Sequence, residues 1–90
     1  MKTHHFVIEG RVQGVGFRYF AQDMAKQFNI KGYVQNTVDS KVEIICQGNK
    51  SDLDMFITVI NKGPALSCVI GFILEEIKVS SFYDSFEVKY

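Results

Sequence analysis

Gly10-Arg11-Val12-Gln13-Gly14-Val15-Gly16-Phe17-Arg18 joins a strand pattern to a helix pattern through a glycine-rich turn. Before it, Phe6, Ile8 and Val12 fall on one face of an alternating run from His4 to Val12, with Gly10 between them. His5, Val7, Glu9 and Arg11 fall on the other face, as in a half-buried strand. After it, apolar residues at 17, 20, 21, 24, 25 and 28 make one helical stripe from Phe17 to Phe28. Arg18, Gln22, Asp23, Lys26 and Gln27 lie outside that stripe. The chain therefore opens β-loop-α, with the loop at Gln13 to Gly16. Asn29 is suited to end the helix in a left-handed conformation.

The pattern continues outward from this unit. Lys31 to Asn36 reads as a short second strand, Thr37 to Ser40 as a turn through Asp39 and Ser40, and Lys41 to Gln47 as a third strand. The short spacing makes these two an antiparallel hairpin. Ser51 and Asp54 flank the start of a second helix in a near-capping-box arrangement; Leu53, Phe56, Ile57 and Ile60 form its apolar face, and Gly63-Pro64 stops it. Val69 to Ile77 is a long apolar strand, Val79 to Asp84 a polar loop, and Ser85 to Tyr90 a final strand. The order β-α-β-β-α-β plus a terminal strand predicts a ferredoxin-like α+β sandwich. Both helices are expected on one face of an antiparallel sheet.

Ninety residues make one expected domain, 1–90, large enough for a single core. Ten basic residues balance ten acidic ones, so there is no general attraction for nucleic acid or an anionic membrane. An anion site has to be local. Cys46 and Cys68 lack metal-ligand spacing and read as reduced, mostly buried thiols. His4 and His5 point to opposite faces of their strand and read as surface residues near a frayed end. No apolar run has the length of a membrane span and no leader-like segment opens the chain. The cytoplasm is the expected compartment.

The glycines of the loop free backbone N–H groups, and the helix start adds more of them, together with the positive end of the macrodipole. Such a junction suits an anion, most simply phosphate. Arg18 is a cation in a first helical turn, which the dipole disfavours and a bound anion would relieve. The same features also occur in plain tight connections and solvated surface arginines. The loop is neither a Walker loop nor a dinucleotide fingerprint. No Ser-His-Asp set, carboxylate pair or metal-ligand cluster stands near it. Chemistry there has to be undemanding in proton transfer. Phosphoryl transfer from an acyl phosphate fits, since its carboxylate leaving group has a pKa of about 4 and needs no general acid. Asn36, at the end of the second strand, can orient a water through its amide, or can simply serve the turn that follows.

The stretch from Gly10 to Arg18 resembles the first signature of the acylphosphatase family, and Gly32-Tyr33-Val34-Gln35-Asn36-Thr37 resembles the second. Gln47-Gly48, Gly63-Pro64 and the Phe86-to-Tyr90 strand extend the similarity over the whole chain. The resemblance implies hydrolysis of acyl phosphates to carboxylate and phosphate with no metal or organic cofactor. It implies Arg18 as the catalytic phosphate-binding arginine and Asn36 as the residue orienting water. It implies a phosphate cradle formed by Gln13, Gly14, Val15, Gly16 and Phe17 with Arg18. Tyr33 stands where tryptophan is more usual, Asp39-Ser40 where Asp-Gly is, and Gln35 where a basic residue is. The last removes one charge next to Asn36. A monomer acting on a small molecule, without nucleic acid or membrane, is expected.

Two other readings share the pattern. An RNA-recognition domain has the same element order, and Gly14 to Phe20 partly mimics its aromatic motif. Here that motif follows the first strand, and Phe17 and Phe20 are spaced for a helix. An acylphosphatase-like domain also opens a larger hydrogenase-maturation protein that handles carbamoyl phosphate. A module that only binds phosphate is disfavoured by the presence of both Arg18 and Asn36.

Overall fold

The computed structural model describes residues 1–79 and 81–90. Its elements are β1 (Lys2–Arg11), α1 (Phe17–Gln27), β2 (Lys31–Asn36), β3 (Val42–Gly48), α2 (Lys50–Lys62), β4 (Cys68–Ile77) and β5 (Phe86–Lys89). The five strands form one sheet in the order β4-β1-β3-β2-β5. Phe6, Ile8, Val34, Val42, Ile44 and Cys46 from the sheet meet Phe17, Ala21, Ala25, Leu53, Phe56 and Ile60 from the helices in one buried core. The βαββαβ sandwich expected from the periodicity is the observed architecture.

The stripe of α1 packs as its spacing requires, with Phe17, Ala21 and Ala25 buried and Phe20, Met24 and Phe28 packed at the margin. Phe17 and Phe20 thus belong to the helix–sheet core and not to an open sheet face. Asn29 adopts φ 57°, and Ile30 N–H donates to the Ala25 carbonyl at 2.8 Å, which closes the helix end. The second helix begins earlier than expected. Asn49 is its cap, accepting from Asp52 N–H, and Ser51 donates to Asn49 Oδ1 in place of capping the helix itself. Asn49 is as good a cap as serine and comes first after β3 ends.

Strand β1 is paired on both sides, with β3 from Lys2↔Gly48 to Ile8↔Val42 and with β4 from Thr3↔Ile77 to Arg11↔Cys68. The β4 register shifts between Glu9 and Gly10. Gly10 sits there at φ 128°, where a Cβ would lie 2.0 Å from the Cys68 carbonyl oxygen. Only glycine fits that bulge.

The terminal strand departs from an all-antiparallel sheet. Strand β5 pairs parallel to β2, from Gly32↔Phe86 to Gln35↔Lys89. The chain leaves β4 beside Thr3 and re-enters the sheet beside Gly32, at the same end of the sheet but beyond β1 and β3. A segment that crosses an end in this way must start its next strand in the direction of β2. The expected loop from Val79 to Asp84 makes that crossing; its residue Ser80 lies outside the described residues. Gln47, fully buried, holds the crossing segment: its Nε2 donates to the Ser81 carbonyl at 3.1 Å and its Oε1 accepts from Tyr83 N–H at 2.8 Å.

Three side chains differ from expectation. His4 and His5 are half-buried within a strand that already begins at Lys2, so this end is held by pairing on both sides. His5 Nε2 lies 2.8 Å from Glu43 Oε2, while His4 Nδ1 is buried without a hydrogen bond. Cys46 is buried, which pushes its thiol up to about 12, but Cys68 is exposed because β4 is an edge strand.

Replacing Gln47 removes both bonds to the crossing segment and leaves its partners without them. Gln47→Ala is expected to lower stability by about 2–3 kcal/mol, read as a lower urea midpoint in equilibrium unfolding.

Candidate active site

Val42, the first residue of β3, is the outermost residue paired on both sides at this end of the sheet, to Ile8 of β1 and to Asn36 of β2. Past this point β1 runs on to Arg11 and turns through residues 13–16 into α1, while β2 stops at Asn36. One concavity of about 100 Å³ opens between these ends, lined by Val12, Gly14, Gly16, Phe17, Arg18, Tyr19 and Asn36. Five of the expected site residues therefore line a single hollow. Gln13 and Val15 do not line it: Val15 packs against the core, and the Gln13 side chain donates to the Thr37 and Lys41 carbonyls at 2.9 and 2.8 Å.

Gly16 is the N-cap of α1 at φ 75°, with no side-chain cap and no acidic residue in the first turn. The first-turn N–H groups thus lack the side-chain acceptors that commonly satisfy such a start. A Cβ on Gly16 would meet no protein atom within 4 Å, so the positive φ is what calls for glycine.

Arg18 is held from outside the hollow. Its Nη1 donates to the Lys89 carbonyl at 3.1 Å, and its Cζ lies 4.8 Å from the centroid of the Tyr90 ring. The Tyr90 hydroxyl is hydrogen-bonded to that of Tyr19, which raises the Tyr90 pKa. A guanidinium carries five N–H donors, and the Lys89 carbonyl uses one. Neither the Arg18–Lys89 nor the Tyr19–Tyr90 contact stands out in the sequence, because a separation of 71 positions leaves no local period.

Asn36 is half-buried, and its Oδ1 is buried with no hydrogen-bond partner among the described residues. The turn that follows is closed by Thr37 and not by the Asn36 side chain. Thr37 N–H donates to the Lys41 carbonyl, Lys41 N–H to Thr37 Oγ1, and Thr37 Oγ1–H to Asp39. The turn-forming role that Asn36 could have had is filled by its neighbour, and Asn36 itself lines the hollow.

Gln35 projects from the opposite face of β2 and donates to Glu43 Oε1 at 2.7 Å. The charge missing at position 35 therefore concerns the neighbourhood of Glu43 more than the hollow. Hydrogen bonding from His5 holds the Glu43 carboxyl below its ordinary value of 4.5, with Gln35 adding to this against an opposing effect of partial burial. Among the described residues, no three His, Cys, Asp or Glu side chains are grouped as metal ligands are.

The hollow at this strand-loop-helix junction, lined by Gly14, Gly16, Arg18 and Asn36, lies on a ferredoxin-like frame. The chain belongs to the acylphosphatase family, whose model matches residues 4–88. It is 42% identical to the acylphosphatase of Archaeoglobus fulgidus over 83 residues, 92% of each chain. The crystal structure of acylphosphatase from Bacillus subtilis superimposes with a TM-score of 0.96 over the full length of both chains, at 33% identity. The structure of T. kodakarensis HypF matches 99% of this chain but 12% of its own, with a TM-score of 0.88 and 36% identity. The protein is thereby placed among the hydrolases that act on acyl phosphates.

A depressed carboxyl pKa stabilises the fold above the unfolded-state value and ceases to do so as pH falls through the folded-state value. Glu43→Gln lacks this contribution. Its stability deficit relative to wild type is expected above pH 4.5 and should shrink as the pH is lowered beneath that value, measured as urea midpoints across a pH series.

Proposed function

We propose that this hollow hydrolyses the carboxyl–phosphate bond of acyl phosphates, with Arg18 and Asn36 as its catalytic residues. The phosphate sits against backbone N–H groups of residues 13–17 and the open side of the Arg18 fork. Charge-assisted bonds from a fixed guanidinium strengthen as negative charge gathers on the equatorial oxygens of the transferring group. Asn36 Oδ1 accepts from a water and aims its oxygen at phosphorus, in line with the leaving carboxylate. The new P–O bond forms as the bond between phosphorus and the acyl oxygen breaks. The electron pair leaves with the carboxylate, and the water's proton passes to a phosphate oxygen. A leaving group of low pKa requires neither a general acid nor a metal for this step.

The observation that carries the reading is that Asn36, whose buried Oδ1 has no hydrogen-bond partner among the described residues, lines the same hollow as Arg18 and two glycines of the loop. A buried acceptor without a partner is costly unless something else bonds it. The same reading takes residues 1–90 as one domain working as a cytoplasmic monomer on a small molecule. Carbamoyl phosphate, handled by the larger hydrogenase-maturation protein whose opening domain this chain resembles, has the same carbonyl–oxygen–phosphorus linkage and is the natural second substrate to assay.

Hydrolysis of an aromatic acyl phosphate, followed by ultraviolet absorbance with chelator present, tests this. Arg18→Ala is expected to lose at least about a hundredfold in kcat/KM. Asn36→Ala should lower kcat while inorganic phosphate binds within about threefold of wild type. Turnover largely kept by Arg18→Ala would place the chemistry elsewhere.

A further inference from the structure

The two halves of the hollow belong to strands that never pair with each other. Strand β3 lies between β1 and β2. Its ladders end at Ile8↔Val42 on one side and Asn36↔Val42 on the other. Beyond Val42 the loop at 13–16 hangs from β1, and the turn at 37–41 hangs from β2 directly after Asn36, the β2 residue paired to Val42. Among the described residues no backbone hydrogen bond joins loop to turn. The ladder holds Asn36 at Val42 but does not reach the loop, so no strand pairing fixes the phosphate loop against Asn36.

One side chain spans that gap. Gln13 Nε2 donates to the Thr37 carbonyl at 2.9 Å and to the Lys41 carbonyl at 2.8 Å. A carboxamide NH₂ has two protons, and both are used. The turn it grips is already closed on itself: the Lys41 carbonyl also accepts from Thr37 N–H at 2.9 Å, and Lys41 N–H donates to Thr37 Oγ1 at 3.0 Å. Gln13 therefore joins the loop to a stiff unit whose first residue follows Asn36 directly. Both bonds are partly shielded from water, which strengthens them relative to exposed ones.

From this geometry we infer that Gln13 is a positioning residue: its side chain sets the placement of Asn36 relative to the phosphate loop, and with it the line of attack of the water. The inference rests on the roles of Arg18 and Asn36 proposed above. Gln13 touches the turn through its side chain only, so its backbone N–H remains available to phosphate. Losing the side chain lets the loop, with the phosphate that it and Arg18 still hold, drift relative to Asn36 and its turn. Displacements of about 1 Å between reacting groups are enough to cost orders of magnitude in rate.

Three variants of the intact protein test this, with a wild-type measurement that needs no variant. In Gln13→Ala, kcat for an aromatic acyl phosphate is expected to fall at least about tenfold while the Kd for inorganic phosphate changes less than about threefold. A smaller fall in kcat, or an equal loss of phosphate affinity, overturns the inference. In Gln13→Glu the introduced carboxylate faces two carbonyls and is repelled until protonated. Its kcat relative to wild type should therefore recover toward acid pH, and a flat ratio counts against the assignment. A double variant, Gln13→Ala with Asn36→Ala, should be no slower than Asn36→Ala alone, because Gln13 acts through Asn36; full additivity refutes it. Should the substitutions prevent folding, isotope-labelled wild-type protein decides. Scalar couplings across hydrogen bonds from the Gln13 carboxamide to the Thr37 and Lys41 carbonyl carbons are expected, and their absence removes the basis of the proposal. Wild-type protein inactive on every acyl phosphate would instead refute the proposed function, while the couplings and phosphate affinities would still report on the Gln13 geometry.

Discussion

The two-sided pairing of Val42 is the constraint on which the rest of this structure depends. Because β3 is bonded to β1 on one side and to β2 on the other, the two strands that carry the site are held parallel and one strand apart. Their ends come out at the same end of the sheet, where the ladder stops. Strand β1 then has to run past its partner and turn into α1 without support from β3, and a glycine-rich loop is what allows so short a turn. Gly10 makes the approach possible by accommodating a bulge against Cys68. Arg18 from the first turn of α1 and Asn36 from the end of β2 are thus neighbours by topology, although no element joins them directly.

Several local preferences are broken around this junction, and the places where they break are informative. The helix start has a left-handed glycine as its cap, no acidic residue in its first turn and an arginine in that turn. In an ordinary surface helix each of these would be a small loss; together they describe a start suited to an anion. Ser40 is a different case. It holds φ 69° without being glycine, in the turn closed by Thr37. A left-handed conformation costs such a residue roughly 1–2 kcal/mol, and it persists because its surroundings over-determine it.

What could be read from the chain followed the range of the interactions. The stripe from Phe17 to Phe28, the alternation of Phe6 and Ile8, and the hairpin around Thr37 to Ser40 are periodic or local, and they were legible. Arg18 and Asn36 were legible through their place at element ends and through family resemblance, and the structure brings them to one hollow. Gln13 was read as part of the phosphate cradle, but its side chain turns to carbonyls more than twenty positions away. The clasp of Gln47 on Ser81 and Tyr83, and the hold of Lys89 and Tyr90 on Arg18, are of the same long-range kind. A polar side chain that serves a remote segment has no periodic signature. The parallel entry of β5 was hidden for a related reason: strand direction at an edge is set by where the chain crosses the end of the sheet, not by the residues of the strand.

The position of β1 inside the sheet has a consequence for how the chain is made. Thr3 pairs with Gln47 on one side and with Ile77 on the other, so β1 needs partners that are made 44 and 74 residues later (47 − 3 and 77 − 3). At synthesis rates of about 5–20 residues per second, β1 waits roughly 4–15 seconds for its second partner to be made. Until β3 is made, Phe6 and Ile8 have no sheet to belong to, and one side of β1 stays unpaired until β4 follows. Folding is dominated by distant pairings, which puts the chain among the slow folders for its size. The nascent β1 segment is then the part of this fold most dependent on protection during its own synthesis.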